Sequence, residues 1–179
     1  MSGKRGNGGQ KYWSPNPDTL EEFTDAAKTT PTMAFRYGQY YYNHYAATAE
    51  SVSSEQTGGY AMDSVCPYGW KLPTTTNFGV MLNAQGITSS TEGVLSITKE
   101  IPLSFNLNGV LDGVGRLGYI RGAGDYWTSM VTAPSSSYPD IPRANNLIFD
   151  FRPLILYTDT SNRVAAMSVR CLKRDDSNP

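Results

Sequence analysis

Two runs near the C-terminal end constrain the fold most. In "NLIFDFR", Leu147, Phe149 and Phe151 alternate with Ile148, Asp150 and Arg152. In "AMSVRCLK", Met167, Val169 and Cys171 alternate with Ser168, Arg170 and Leu172. Period-two alternation places one face of a strand on a core and turns the other toward solvent or ligand. The aromatic, β-branched run "GDYWTSMV" adds a third strand ahead of them. The loop "TAPSSSYPDIPRAN" and the connection "PLILYTDTSNRV" separate the runs.

Helical signals lie earlier. "NPDTLEEFTDAAKTTP" predicts a helix over Asp18–Lys28, with Asp18 as cap, Glu21 and Glu22 in the first turn, and Leu20, Phe23 and Ala27 on one face. Pro31 stops it. Met33–Tyr37 predicts a strand, while Tyr40–Tyr42 fits a strand or a helix start equally well. "ESVSSEQTGG" is a polar loop. After "CPYGWKLPT", one of Thr74, Thr75 or Thr76 caps a short helix whose stripe is Phe78, Met81 and Leu82, with Gly86 just past its end. From Ile87 to Gly124, short apolar patches such as "IPLSFNLNGVL" imply strands between loops. Two early helices and several late strands make an α+β pattern with an antiparallel sheet.

At 179 residues the chain suits one domain with a sizeable core. Only 17% of residues are charged and the formal net charge is −1, which excludes nucleic-acid binding driven by an overall basic surface. No apolar run has the length of a membrane-spanning helix. The start "MSGKRGNGGQ" has no apolar h-region, so it does not read as a secretory signal; residues 1–12 read as a flexible lead-in, 13–173 as one domain and 174–179 as a frayed tail. The 12 tyrosines, with abundant Ser and Asn, suit either an adaptable binding surface or half-buried strands.

Motifs for catalysis are missing from the sequence. His44 is the single histidine, there is no Gly-x-Ser-x-Gly elbow, and "DGVGRLG" lacks the spacing of a phosphate loop. Asp125, Asp140 and Asp150 are scattered, not paired as glycosidase carboxylates. Cys66 and Cys171 are the only cysteines, and no Cys/His cluster accompanies them, so neither a metal nor another cofactor is expected. A bridge between them would close a loop of roughly 100 residues, an effect of about 4–5 kcal/mol in the chain-entropy model. Two buried free thiols fit the sequence as well.

Four segments, "YGQYYYNHYAATAES", "SVCPYGWKLPT", "GDYWTSM" and "MSVRCLK", occur here in that order. Together they resemble the Fibrobacter succinogenes major paralogous domain family, over Tyr37 to Lys173. The Cys-Pro-x-Gly-Trp-x-Leu-Pro-Thr element is the specific part. The resemblance implies a C-type-lectin-like fold, with two helices packed on a small twisted antiparallel sheet with long loops. It also implies a structural disulfide between Cys66 and Cys171, with Trp70 and Trp127 as core anchors. An earlier cysteine-bearing segment found in many members is missing here, and the Asp18–Lys28 helix stands in its place. The calcium-lectin motifs are replaced by "YPDIP" and "YWTSM", and the catalytic cysteine pair of the formylglycine-generating enzymes has no counterpart.

The closing Val-Arg-Cys pattern is also similar to that of the variable proteins of diversity-generating retroelements, whose ligand-facing residues are rewritten by adenine-directed errors. That similarity implies a binding protein rather than an enzyme, with its diversified surface in Asp125–Asn162. The expected contact residues are Tyr138, Asp140, Asn145, Asn146, Ile148, Asp150, Arg152, Tyr157, Asp159 and Asn162. Trp127, Leu147, Phe149, Val169 and Cys171 would be held as scaffold. The implied partner is a protein or glycan on another cell or particle surface, with no nucleic acid and no membrane insertion, and the implied location is extracellular, cell-surface or virion-associated. Three alternatives remain at this point: a fixed-specificity bacterial surface or adhesion domain of the same fold; an ordinary polar surface loop, which Ser, Asn and Asp also favour; and an enzyme, which would need a deep pocket lined by His44 or paired acids.

Overall fold

The computed structural model describes residues 33–36, 39–52, 61–84, 105–111, 117–134, 136–137, 139, 141–150 and 155–174. The Asp18–Lys28 helix, the 1–12 lead-in and the Gly86 helix end lie outside them. The described residues form an α+β fold with two helices and three antiparallel sheets.

The tyrosine run resolves as a strand. β1 (Met33–Arg36) pairs antiparallel with β2 (Gln39–Asn43), and Tyr41 is buried while Tyr40 is exposed, as period two requires. Asn43 then leaves the strand as a helix cap. Its side chain accepts from Ala46 N at 2.9 Å and opens the single turn α1 (His44–Ala47). Thr48 Oγ1 donates back to His44 O at 2.7 Å, and the positive φ of Ala49 and Glu50 ends the turn.

The second helix, α2 (Thr75–Ala84), begins at Thr74. Thr74 Oγ1 accepts from Asn77 N at 3.1 Å while Asn77 Oδ1 accepts from Thr74 N at 3.0 Å, a reciprocal box that satisfies two end donors. Phe78 and Leu82 are buried, Met81 packs beside them, and Val80 on the opposite face is exposed. The predicted stripe is therefore the packed face.

The largest paired surface is the ladder of β6 (Ala123–Thr132), β7 (Arg143–Asp150) and β8 (Ile155–Asn162), in that order. β7 is central, and the β6–β7 register breaks between Trp127 and Val131. Both faces of β6 are covered, so Tyr126 and Trp127, which point opposite ways, are both buried. On one face Tyr126, Leu147 and Phe149 meet Phe105 and α2; on the other Trp127 and Ala144 meet Ala47, Cys66, Leu72 and Met167. Gly124 is required where β6 passes Phe149, because a Cβ there would lie 2.4 Å from the ring.

The alternating "AMSVRCLK" run is not one strand. β9 (Ala166–Met167) pairs with β2 and with β4 (Val110–Leu111), which in turn pairs with β5 (Leu117–Gly118). β10 (Leu172–Lys173) pairs with β3 (Trp70–Lys71) in a separate sheet. Between them Ser168 bridges to β6: Trp127 N donates to Ser168 O at 3.1 Å and Ser168 N donates to Asp125 O at 3.2 Å. The segment changes partner twice within eight residues. The side chains still alternate, since Met167, Val169 and Cys171 all pack into the Trp127 cluster.

Cys66 and Cys171 form a disulfide with Cα atoms 5.7 Å apart. Arg174, assigned above to the frayed tail, is held: its N donates to Gly69 O at 2.8 Å and its Nε to Trp70 O at 3.3 Å. No helix among the described residues is long and apolar enough to cross a membrane.

Candidate binding surface

The expected contact residues fall mainly on β7, β8 and the loops beside them. Tyr138, Asp140 and Arg152 lie outside the described residues. The β7–β8 register sets Asn146 opposite Asp159, Ile148 opposite Tyr157, and Asp150 opposite Ile155. Asn146, Ile148, Asp150, Tyr157 and Asp159 thus occupy positions of one parity, on one side of the ladder. Asn145, opposite Thr160, and Asn162, opposite Arg143, occupy the other.

Exposure divides this set. Asp159 is exposed, and its carboxylate accepts from Thr160 N at 2.7 Å. Asn145, Ile148 and Asn162 are half-buried, and Asn162 Oδ1 accepts from Val164 N at 3.1 Å, closing the turn that follows β8. Arg143 reaches across the ladder, donating from Nε to Thr160 Oγ1 at 3.1 Å and from its terminal nitrogen to Thr160 O.

Asn146 corrects the expectation of an exposed contact, because it is fully buried. Its register partner on β6 is Trp127, and its Nδ2 donates to the buried Asp125 carboxylate at 3.4 Å. Its Oδ1 has no hydrogen-bond partner among the described residues. An orphaned buried acceptor costs about 1–3 kcal/mol, so this amide belongs to a polar core. Its residue type and its place in the variable segment suggested a surface contact; neither could show that the position is covered next to Trp127.

The two tryptophans also separate. Trp127 is fully buried, with Nε1 donating to Tyr42 O at 2.8 Å. Trp70 is exposed rather than a core anchor. Gly69, at φ +79°, closes a turn in which Trp70 N donates to Pro67 O at 2.9 Å, and the following strand has only two residues. Among the described residues that strand belongs to a separate two-stranded sheet, and the ring is left exposed.

His44 sits beside Trp127, edge to face at 5.1 Å. Arg163 Nε donates to His44 Nδ1 at 3.2 Å, and Nε2, which must then carry the proton, donates to Thr128 O at 3.1 Å. Burial, followed by the charge of Arg163, pushes the imidazole down to about 3, against the opposing pull of the Thr128 carbonyl. The guanidinium of Arg163 stacks 4.1 Å from the Tyr45 ring centre. This buried polar group pins α1 to the turn after β8. The sequence offered the lone histidine in an aromatic setting as its only sign; Arg163 stands 119 residues away.

No protein-family model, curated protein or solved structure matches the chain.

Proposed function

We propose that this chain is a ligand-binding module of C-type-lectin-like fold, related to the variable proteins of diversity-generating retroelements, and that the β7–β8 ladder with its flanking loops is its binding face. One observation carries this reading. The β7–β8 register gathers the Ile148, Asp150, Tyr157 and Asp159 positions on one side of a two-strand platform, while the proposed scaffold residues Trp127, Leu147 and Phe149 are at most 1% exposed. Variation on such a platform changes the contact surface and leaves the core packing alone. Asn146 moves from the contact set to the scaffold.

The disulfide supports an oxidising compartment, and hence a partner met outside the cell or on a particle surface. Polar side chains with adaptable hydrogen bonding suit a protein or glycan ligand.

Sequencing the 3′ end of the gene across its source population, with flanking DNA, tests the reading. Adenine-linked substitutions confined to Asp125–Asn162 and sparing the Trp127, Leu147 and Phe149 codons, beside a near-identical template repeat, are the expected result. A uniform 3′ end without a repeat would overturn diversification and leave a fixed-specificity surface or adhesion domain.

A further inference from the structure

The motif "CPYGWKLPT" is anchored at both ends and stands out in the middle. Cys66 and Leu72 are buried in the Trp127 cluster, and Cys66 is bridged to Cys171. At the far end Pro73 O accepts from Ser129 N at 2.7 Å. Between these anchors Pro67, Tyr68 and Trp70 are all exposed, and Tyr68, at 106%, stands wholly in solvent. Single exposed apolar residues are ordinary; a proline and two aromatics side by side on one turn make a patch.

The turn is set in advance. Pro67 fixes its own φ, Gly69 sits at φ +79°, and Trp70 N donates to Pro67 O at 2.9 Å. β10 holds it from the side, with Arg174 N donating to Gly69 O at 2.8 Å and Arg174 Nε to Trp70 O at 3.3 Å. The rings are therefore presented on a backbone that needs little further ordering to bind.

Shape and charge together select the partner. Small ligands sit in concave sites, whereas this turn is convex, so it enters its partner rather than enclosing it. A rigid protein partner would need a pocket cut to the tip; a fluid interface does not. Tyr and Trp, each with an apolar body and a polar handle, settle at the headgroup level of a bilayer. Lys173 lies directly opposite Trp70 on β10, on the same face, with Lys71 and the exposed Arg174 beside it. Asp175 and Asp176 follow in the sequence; three cations against two acids leave this end at +1, on a chain whose formal net charge is −1.

We propose that Pro67–Trp70 is a membrane-docking tip, with Tyr68 and Trp70 entering the headgroup zone of an anionic phospholipid surface and Lys71, Lys173 and Arg174 meeting its phosphates. Such a contact stays at the level of the headgroups and needs no spanning segment. It uses no residue of the β7–β8 face, and it stands whether or not that face is diversified.

Co-sedimentation of the full chain, disulfide intact, with vesicles of phosphatidylcholine alone and of a phosphatidylcholine–phosphatidylglycerol mixture tests it at low salt. The mixed vesicles bind the chain about fivefold more tightly, the gain that one net positive charge near an anionic surface supplies. Trp70→Ala weakens binding to the mixed vesicles by about fivefold or more, and Lys173→Gln brings the two vesicle types close to parity. Should Trp70→Ala fail to fold, Tyr68→Ala, which removes a fully solvated side chain, weakens the same binding with an unchanged melting temperature. Failure to bind the mixed vesicles would assign the tip to a protein partner and overturn the proposal. So would equal binding of the wild type to both vesicles, a preference unchanged in Lys173→Gln, or binding undiminished in folded Trp70→Ala or in Tyr68→Ala.

Discussion

Trp127 and Trp70 are the same residue type, and the resemblance assigns both to the core. Trp127 is 0% exposed and Trp70 is 43% exposed. Trp127 lies on β6, paired with β7 on one side and bridged to Ser168 on the other, with His44 and Met167 over the ring. Trp70 lies on a two-residue strand whose described partner is β10. What buries an aromatic ring is the number of layers its strand belongs to, and residue type alone does not supply that number. The disulfide sits on the Trp127 side of the contrast, since Cys66 and Cys171 pack in the Trp127 cluster.

The largest expected effect is Trp127→Ala. Removing a fully buried Trp costs about 3–5 kcal/mol, and the lost indole N–H also leaves Tyr42 O without that donor. That is comparable with the whole stability of many domains. Urea unfolding followed by circular dichroism should show a large fall in midpoint or no folded state. A loss below about 1 kcal/mol would break the comparison at its stronger end.

Replacing both cysteines by alanine comes next. The bridge closes a sequence separation of 105 residues, and losing such a crosslink costs about 2–5 kcal/mol. The urea midpoint should fall, and reduction of the wild-type protein should produce most of the same shift. An unchanged midpoint would mean that the bridge does not hold the Trp127 cluster together.

Acid acts on the Trp127 side through His44. Unfolded, His44 takes up a proton near 6.5; folded, not until about 3. The unfolded state therefore binds more protons between those values, so stability is full above 6.5 and falls as pH drops toward 3, on the order of 1 kcal/mol per pH unit. The window from 6.5 down to 5 is the cleanest, because ordinary carboxylates stay ionised there. Unfolding free energies at pH 7 and pH 5 should differ in the wild type and converge in His44→Gln. Equal values in the wild type would remove the buried neutral imidazole from the account of this core.

These contrasts mark what was legible in the chain. Phe78, Met81 and Leu82 and the Leu147/Phe149 face follow from local period, and the structure places them as read; of the three threonines offered as the cap, Thr74 takes the role. Asn146, expected at the surface from its residue type, and Trp70, expected in the core from the resemblance, were misplaced for one physical reason: neither residue type nor motif says how many layers lie over a strand face. The division of "AMSVRCLK" between β9 and β10 was hidden because partner exchange along a strand keeps the alternation intact. His44 with Arg163 depends on a contact between residues far apart in the chain.

The smallest effect belongs to Trp70→Ala, and it is the sharpest test of the contrast. The backbone bonds of its turn, Trp70 N to Pro67 O and Arg174 N to Gly69 O, survive the substitution because no side chain takes part in them. Only the covered part of the ring is lost, so the cost should stay at about 1 kcal/mol, against several for Trp127→Ala. Urea midpoints of the two variants, measured side by side, give the difference directly. Should Trp70→Ala cost as much as Trp127→Ala, the exposed face of that ring must be covered in the folded protein, and the layer rule that separates the two tryptophans would fail at the position where it predicts the least.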